Sequence, residues 1–215
     1  NGVDSLDGVK VAVQGMGNVG ANAARIFCHR NACVVALSDV SGGIYCESGL
    51  DADVVSAVLE EGHLLKDYQA EGVSHISNTE LLTCDCDVLV PAALENQINA
   101  EVAEQLRCRY IVEGANGPTT VEADAILEQR GITLIPDIFA NSGGVIVSYF
   151  EWVQNIQELT WERSQVNEML EKLMTASFGE LLEERKKTAC SYRMAAYIVA
   201  LRRLLYAEDI KGLFP

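Results

Sequence analysis

Apolar positions along the first two-thirds of the chain follow two alternating rhythms. Short runs of strand length at 9–14, 33–38, 88–90, 110–112 and 133–135 are separated by segments whose apolar residues recur at helical spacing. The helical segments are 17–30, where Val19, Ala23, Ile26 and Phe27 share a face, then 51–61, 100–106 and 119–129. Asp51 stands where a helix start is expected, Gly62 where it stops, and Thr119-x-x-Glu122 has capping-box spacing. Strands and helices alternating over such loop lengths predict parallel strands joined by crossover helices, a doubly wound α/β sheet of Rossmann type. Beyond about residue 142 only the helical rhythm persists. Val166, Met169, Leu170, Leu173, Met174, Phe178, Leu181 and Leu182 form one stripe, and Met194, Tyr197, Ile198, Leu201, Leu204 and Leu205 another. Both read as packing faces, with a kink or break expected at Gly179. The expected organisation is a sheet core over 1–150 and a helical extension over 151–215.

The first strand runs into Gly15-Met16-Gly17-Asn18-Val19-Gly20, and an amphipathic helix follows. In that context Gly-x-Gly-x-x-Gly has a mechanism: the first glycine permits a tight turn, the second lets the backbone approach a pyrophosphate, and the third lets helix pack on strand. Unpaired N–H groups at the helix start, with the positive end of its dipole, then face the anion. Asp39, at the end of the second strand, stands where a carboxylate accepts ribose hydroxyls and repels a 2′-phosphate. The residues equally allow Asp39 to cap the turn that follows it. Val40, Ser41, Gly42 and Gly43 bring no Arg or Lys, so NAD is preferred as cofactor, with NADP open.

A formal charge of −15 argues against nucleic acid or an anionic membrane surface as partner. No apolar run approaches the ~20 residues of a membrane span, and the opening residues lack the pattern of an export signal. With seven cysteines, an odd number, this points to reduced thiols in the cytoplasm. Cys84 and Cys86 are the one close pair. An extended segment would turn them to opposite faces, and no second pair completes a ligand set, so no metal is expected.

Three further motifs follow in order: Pro91-Ala92-Ala93, the run EGANGPTT from Glu113 to Thr120, and NSGGVIVSYFEW from Asn141 to Trp152. Together with the glycine loop they resemble the C-terminal, cofactor-binding half of the glutamate dehydrogenases, in the glutamate/leucine/phenylalanine/valine dehydrogenase family. The resemblance runs over essentially the whole chain. It implies that Asn116 lies near the nicotinamide and its ribose, that Pro91, Ala92 and Ala93 line the cofactor cleft, and that Asn141 contributes from the far side. It also implies that Ser148 helps hold the side-chain carboxylate of glutamate while Val145 packs against the substrate. Relatives acting on branched or aromatic amino acids lack the SYFEW run. Taken alone, Asn116 and Asn141 are equally turn residues, and Ser148 equally a helix serine bonded to its own turn.

In that family the catalytic lysines and a proton-shuttling aspartate belong to a glycine-rich segment of the N-terminal half. Nothing here matches it. Lys10, Lys66, Lys172, Lys186, Lys187 and Lys211 all read as solvated charge, and none sits in an apolar setting that would depress its pKa. His29, His63 and His75 have no partner pattern for acid–base work. No catalytic residue is assigned. The chain is expected to be about half of an enzyme that assembles as a homohexamer, with "NGVDSLDGVK" resembling the connection into the cofactor domain. Two other functions compete. One is an NAD-sensing module without chemistry, against which Ser148 and Val145 speak. The other is a hydroxy-acid dehydrogenase built on a His–acid pair, for which no histidine is suitably placed.

Overall fold

β-branched residues make β1 (Lys10–Gln14), and the glycine loop turns it into α1 (Asn18–His29). There follow β2 (Cys33–Asp39), β3 (Gly42–Tyr45), α2 (Ala52–Glu60), a 3₁₀ turn (Leu65–Asp67), β4 (Ser74–Ile76), α3 (Asn78–Leu82), β5 (Val88–Pro91), α4 (Ala100–Gln105), β6 (Tyr110–Val112), α5 (Val121–Gln129) and β7 (Thr133–Ile135). This is a computed structural model that describes residues 6–211, with side chains as far as residue 210. The first half of the connecting piece (1–5), the tail (212–215) and the Lys211 side chain lie outside the described residues.

The seven strands form one sheet in the order β4-β3-β2-β1-β5-β6-β7. β1 runs parallel to β2 and β5, and β5 parallel to β6. β3, however, is antiparallel to both β2 and β4, so the expectation of parallel strands throughout is corrected at one edge. Only Val40 and Ser41 separate β2 from β3, which suffices for a hairpin and not for a parallel crossover. Gly42-Gly43-Ile44-Tyr45 and Ser74-His75-Ile76 carry too little apolar alternation to announce themselves as strands. His75 therefore lies in a strand rather than a connection.

Alternation along β1 sends Ala12 to one face of the sheet and Val11 and Val13 to the other. Leu81 and Leu82 of α3, Ala103 of α4 and Leu127 of α5 join the first face; Ala24 of α1 and Val55 of α2 join the second. A register shift between Val11 and Ala12 breaks the alternation opposite, where Val35 and Ala36 of β2 both fall in the first cluster. The cap of α5 is Thr120, whose hydroxyl accepts from the Ala123 N–H at 3.3 Å, and not the expected Thr119. Thr119 is committed to a strand-like bridge with Ile98, and its hydroxyl is buried without a partner.

The Cys84–Cys86 segment bends rather than extends, so the expectation that the two thiols face apart across an extended strand does not apply. The neighbouring thiols shift each other in opposite senses, with Cys86, also buried, pushed up in pKa and Cys84 lowered. Burial pushes the Cys108 thiol up to about 11. All seven cysteines are free, and no cluster among the described residues could hold a metal ion.

The chain divides between Leu134 and Ile135 into two compact units, ahead of residue 150. The second unit contains α6 (Asp137–Ala140), α7 (Ser142–Gln157), α8 (Arg163–Thr188) and α9 (Tyr192–Lys211). Its small core joins Leu181, Ala195 and Ala196, with Phe139 stacked on Phe178 at 5.4 Å between ring centres. Glu184, 5% exposed, receives two hydrogen bonds from Arg202 at 2.6 and 3.2 Å, which hold its carboxyl below the usual range. α8 passes through Gly179 unbroken, because one glycine costs only about 1 kcal/mol of helix propensity against a 26-residue run capped at both ends. The stripe on α9 corrects its expectation too. Ala195 and Ala196 are buried, whereas Leu201, Leu204 and Leu205 are mostly exposed. Among the described residues no helix is long and apolar enough to cross a membrane.

Candidate functional site

The carboxyl ends of β1, β2 and β5 meet at one cleft of about 680 Å³, lined among others by Gly15, Met16, Gly17, Asp39, Val40, Ala92 and Ala93. Backbone hydrogen bonds tie these ends together. The Gly15 N–H donates to the Ser38 carbonyl at 2.9 Å, Ala92 N–H to Gln14 at 2.8 Å, and Gly114 and Ala115 N–H to Pro91 at 3.0 and 2.9 Å. In open sheets of this winding, ligands collect beyond the carboxyl ends where the connections diverge. β1 is that point here, since β2 leaves on one side and β5 on the other.

Gly15 has φ +92°, and a Cβ there would stand 2.9 Å from Ala93, so the turn needs glycine twice over. At Gly20 a Cβ would stand 1.7 Å from the Gly15 carbonyl oxygen, which means that α1 lies directly on the turn. Gly17 differs: nothing lies within 4 Å of where its Cβ would be. It is the N-cap of α1, and no side chain caps the helix and no acid occupies its first turn. The N–H groups of Asn18, Val19 and Gly20 thus begin a helix whose anion-binding end is left to something other than a cap. This cradle fits a pyrophosphate.

Asp39 caps its turn and lines the cleft as well. Its Oδ1 accepts from the Ser41 N–H at 2.7 Å and the Ser41 hydroxyl at 2.5 Å, and its Oδ2 from the Leu65 N–H at 2.8 Å. The Ser41 hydroxyl oxygen in turn accepts from the Lys66 N–H at 3.1 Å. The short sequence neighbourhood of Asp39 contains no cation, yet the fold brings the backbone of Lys66 beside it.

Val19 reaches the same region from α1, since a Cβ on Gly114 would meet Ala92 at 3.0 Å and Val19 at 3.2 Å. Asn116 is exposed in the loop after β6, whose Gly117 carbonyl accepts from the Asn96 N–H at 2.9 Å. Asn141 sits in the second unit, at the junction of α6 and α7. Val145 and Ser148 are exposed one turn apart on α7, and so share a face. Of the five lysines with described side chains, Lys10 is partly buried and paired with Asp85 at 3.7 Å, and the other four are exposed.

Among the lining residues that escaped sequence reasoning, three are bonded to one another. Gln14, 1% exposed, donates from Nε2 to Asn78 Oδ1 at 2.8 Å and to Gln97 Oε1 at 2.9 Å, and all three line the cleft. A signal was available: Gln14 follows the apolar run Val11-Ala12-Val13 at the end of β1, at a position whose alternation points inward. Asn78 and Gln97 carry no such mark.

The family model for glutamate/leucine/phenylalanine/valine dehydrogenases matches residues 1–212. The chain belongs to that family. It is 49% identical to the NAD-specific glutamate dehydrogenase A of Halobacterium salinarum, over 98% of this chain and 48% of the relative. It is 44% identical to the NADP-specific glutamate dehydrogenase A1 of the same organism, over 98% of this chain and 50% of the relative. Among solved structures, the hetero-hexameric glutamate dehydrogenase of Thermus thermophilus in its leucine-bound form superposes with a TM-score of 0.88 at 32% identity, covering all of this chain and 50% of that one. The chain spans about half the length of the curated relatives it matches. Relatives named as NAD-specific and as NADP-specific thus stand at similar distance from this chain.

Proposed function

We propose that this chain is the cofactor-binding half of a glutamate dehydrogenase, receiving the dinucleotide in the cleft at the glycine loop. The observation that carries this is the uncapped start of α1 beneath Gly17, with Gly15 and Gly20 packed too tightly to be anything but glycine. The N–H groups of Asn18, Val19 and Gly20 take the pyrophosphate; Met16, Pro91, Ala92 and Ala93 wall it; Asn116 and Asn141 serve the nicotinamide end. Asp39 takes the adenosine ribose. A carboxylate has about four acceptor sites, and three are filled by Ser41 and Leu65, so Oδ2 accepts from one ribose hydroxyl rather than both. A 2′-phosphate at the same place meets that carboxylate, which favours NAD over NADP.

The cofactor, when bound, supplies the hydride acceptor for oxidative deamination of glutamate to 2-oxoglutarate and ammonium. This chain's contribution is to bind and orient. Val145 and Ser148, on one exposed face of α7, contribute to recognising glutamate, the hydroxyl donating to its side-chain carboxylate. Among the described residues no exposed lysine lines the cleft, so none is placed to act as the base. We assign catalysis to the part of the relatives that this chain does not cover, in a cytoplasmic homohexamer.

The test is titration of the purified chain with NAD and with glutamate. NAD raises the melting temperature and binds with a measurable heat, while glutamate-dependent NADH formation is absent. An unmoved melting temperature at saturating NAD and NADP overturns the cofactor site, and turnover by the chain alone overturns the division of labour.

A further inference from the structure

Three of the seven thiols meet at one place in the first unit. Cys86 and Cys108, each 5% exposed, belong to the core on the α3 side of the sheet, and the partly buried Cys84 packs against it. The backbone around Cys84 and Cys86 is fixed on both sides. The Cys84 N–H donates to the Leu81 carbonyl in α3 at 3.2 Å, and Asp85 pairs with Lys10 at 3.7 Å. Beyond Cys86, the Asp87 N–H donates to the Lys10 carbonyl at 2.9 Å, and the Asp87 carbonyl accepts from the Arg109 and Tyr110 N–H groups at 3.0 and 2.9 Å. Residues two apart span at most about 7 Å when fully extended. The chain bends at Cys84 and Asp85, which shortens that span, and a disulfide closes across roughly 4.4–6.8 Å.

Their surroundings give the two thiols different parts. Cys84 is the one that solvent reaches. The Cys86 thiol beside it lowers its pKa, and Arg107 works in the same direction against burial and Asp85, so Cys84 is the readier thiolate. Cys84 and burial together push Cys86 the other way. Cys86 is thus closed to reagents from outside and keeps its proton while Cys84 carries charge. Cys108, the third thiol, is held up at about 11 by its own burial.

We infer that Cys84 and Cys86 form a redox site for hydroperoxides, Cys84 attacking and Cys86 closing the disulfide, independent of the cofactor cleft. The Cys84 thiolate attacks the terminal oxygen of R–O–OH. An S–O bond forms, the O–O bond breaks, and RO⁻ takes up the proton that Cys84 released and leaves as an alcohol. Cys84 is then a neutral sulfenic acid, and the charge that kept Cys86 protonated is gone. Cys86 gives up its proton and attacks the Cys84 sulfur; the S–S bond forms, the S–O bond breaks, and hydroxide leaves with that proton as water. Two thiols are oxidised and one hydroperoxide reduced, giving a disulfide, an alcohol and water. A bridge across a single residue is strained, and strained disulfides are the ones that thiols reopen readily.

Peptide mapping of the intact chain, treated with a small excess of hydrogen peroxide and then alkylated, tests this. The tryptic peptide 67–107 holds Cys84 and Cys86 and no other cysteine, and Cys108 falls in the next one. In the wild type, peptide 67–107 is expected to lose the mass of two hydrogens and to take no alkyl group, and dithiothreitol restores both thiols. Cys86→Ala can go only halfway, and gives a dimedone adduct at Cys84. In Cys84→Ala the remaining thiol of the pair is buried, and it is oxidised at least about tenfold more slowly than Cys84 in the wild type. The wild-type map stands whether or not either variant folds. Two alkyl groups on peptide 67–107, a bridge from it to Cys108, or sulfinic acid at Cys84 in place of the bridge overturns the inference. Each of these leaves the cofactor site standing.

Discussion

A methyl group on Gly20 would lie 1.7 Å from the Gly15 carbonyl oxygen, whereas one on Gly17 would touch nothing within 4 Å. The two glycines therefore fail differently when replaced. Gly20→Ala has to push α1 off the turn, and is expected to cost about 2 kcal/mol or more of stability along with cofactor binding. Gly17→Ala keeps an allowed backbone, with φ −76° and ψ −168°, and is expected to melt within about 3 °C of the wild type. Its methyl occupies the space assigned to the pyrophosphate, so NAD affinity falls at least about tenfold. Melting curves with and without NAD separate the two cases; a Gly17→Ala variant that binds NAD normally would remove the phosphate from the loop. The residue scale was also where the sequence was most informative. Glycine spacing after a β-branched strand reports a backbone requirement, and backbone requirements are local. Asp39 was readable only as a choice between two roles, because the Leu65 N–H that shares its carboxylate comes from 26 residues away. Gln97 and Asn78 could not be found at all, since what marks them is a partner and not a pattern.

Among the elements, α8 and α9 show how little periodicity says about which residue of a stripe is buried. Leu181 is 2% exposed in the small core with Ala195 and Ala196, while Leu204, on a stripe of equal regularity, is 66% exposed. Leu181→Ala is expected to cost about 2–5 kcal/mol, and Leu204→Ala no more than about 0.5 kcal/mol. Both tryptophans, Trp152 and Trp161, lie in the second unit, with Trp161 packed edge-on against Phe150 at 5.9 Å. Urea unfolding followed by tryptophan fluorescence therefore reads this unit alone, and a Leu204→Ala effect as large as that of Leu181→Ala would refute the burial difference. Apolar spacing reported the long helices and the parallel strands faithfully, because each must bury a continuous face. It was silent on β3, β4 and α3, which have three to five residues each, and on the hairpin that makes one sheet edge antiparallel. Elements that short are held by neighbours, and their own residues need not alternate.

For the whole chain the decisive quantity is the net charge of −15, which sets a negative potential around the cleft proposed to take an anionic cofactor. The local cradle at α1 acts at contact distance and is little screened, but the surrounding field acts over the Debye length, about 10 Å at 0.1 M salt. NADP carries one phosphate more than NAD, about two further negative charges, and suffers that field, with Asp39 at its nearest point, correspondingly more. Raising ionic strength from about 0.01 to 0.5 M shrinks the Debye length from roughly 30 Å to a few ångströms, and so relieves NADP more than NAD. The preference for NAD is thus expected to narrow with salt, by about threefold, as measured from the ratio of the two dissociation constants. The opposite trend has an equally definite meaning. If the Lys66 side chain, whose backbone lies beside Ser41, swings onto the 2′-phosphate, salt screens an attraction and the ratio widens instead. A widening ratio, reversed in Lys66→Gln, would make Lys66 and not Asp39 the residue that decides between the two cofactors.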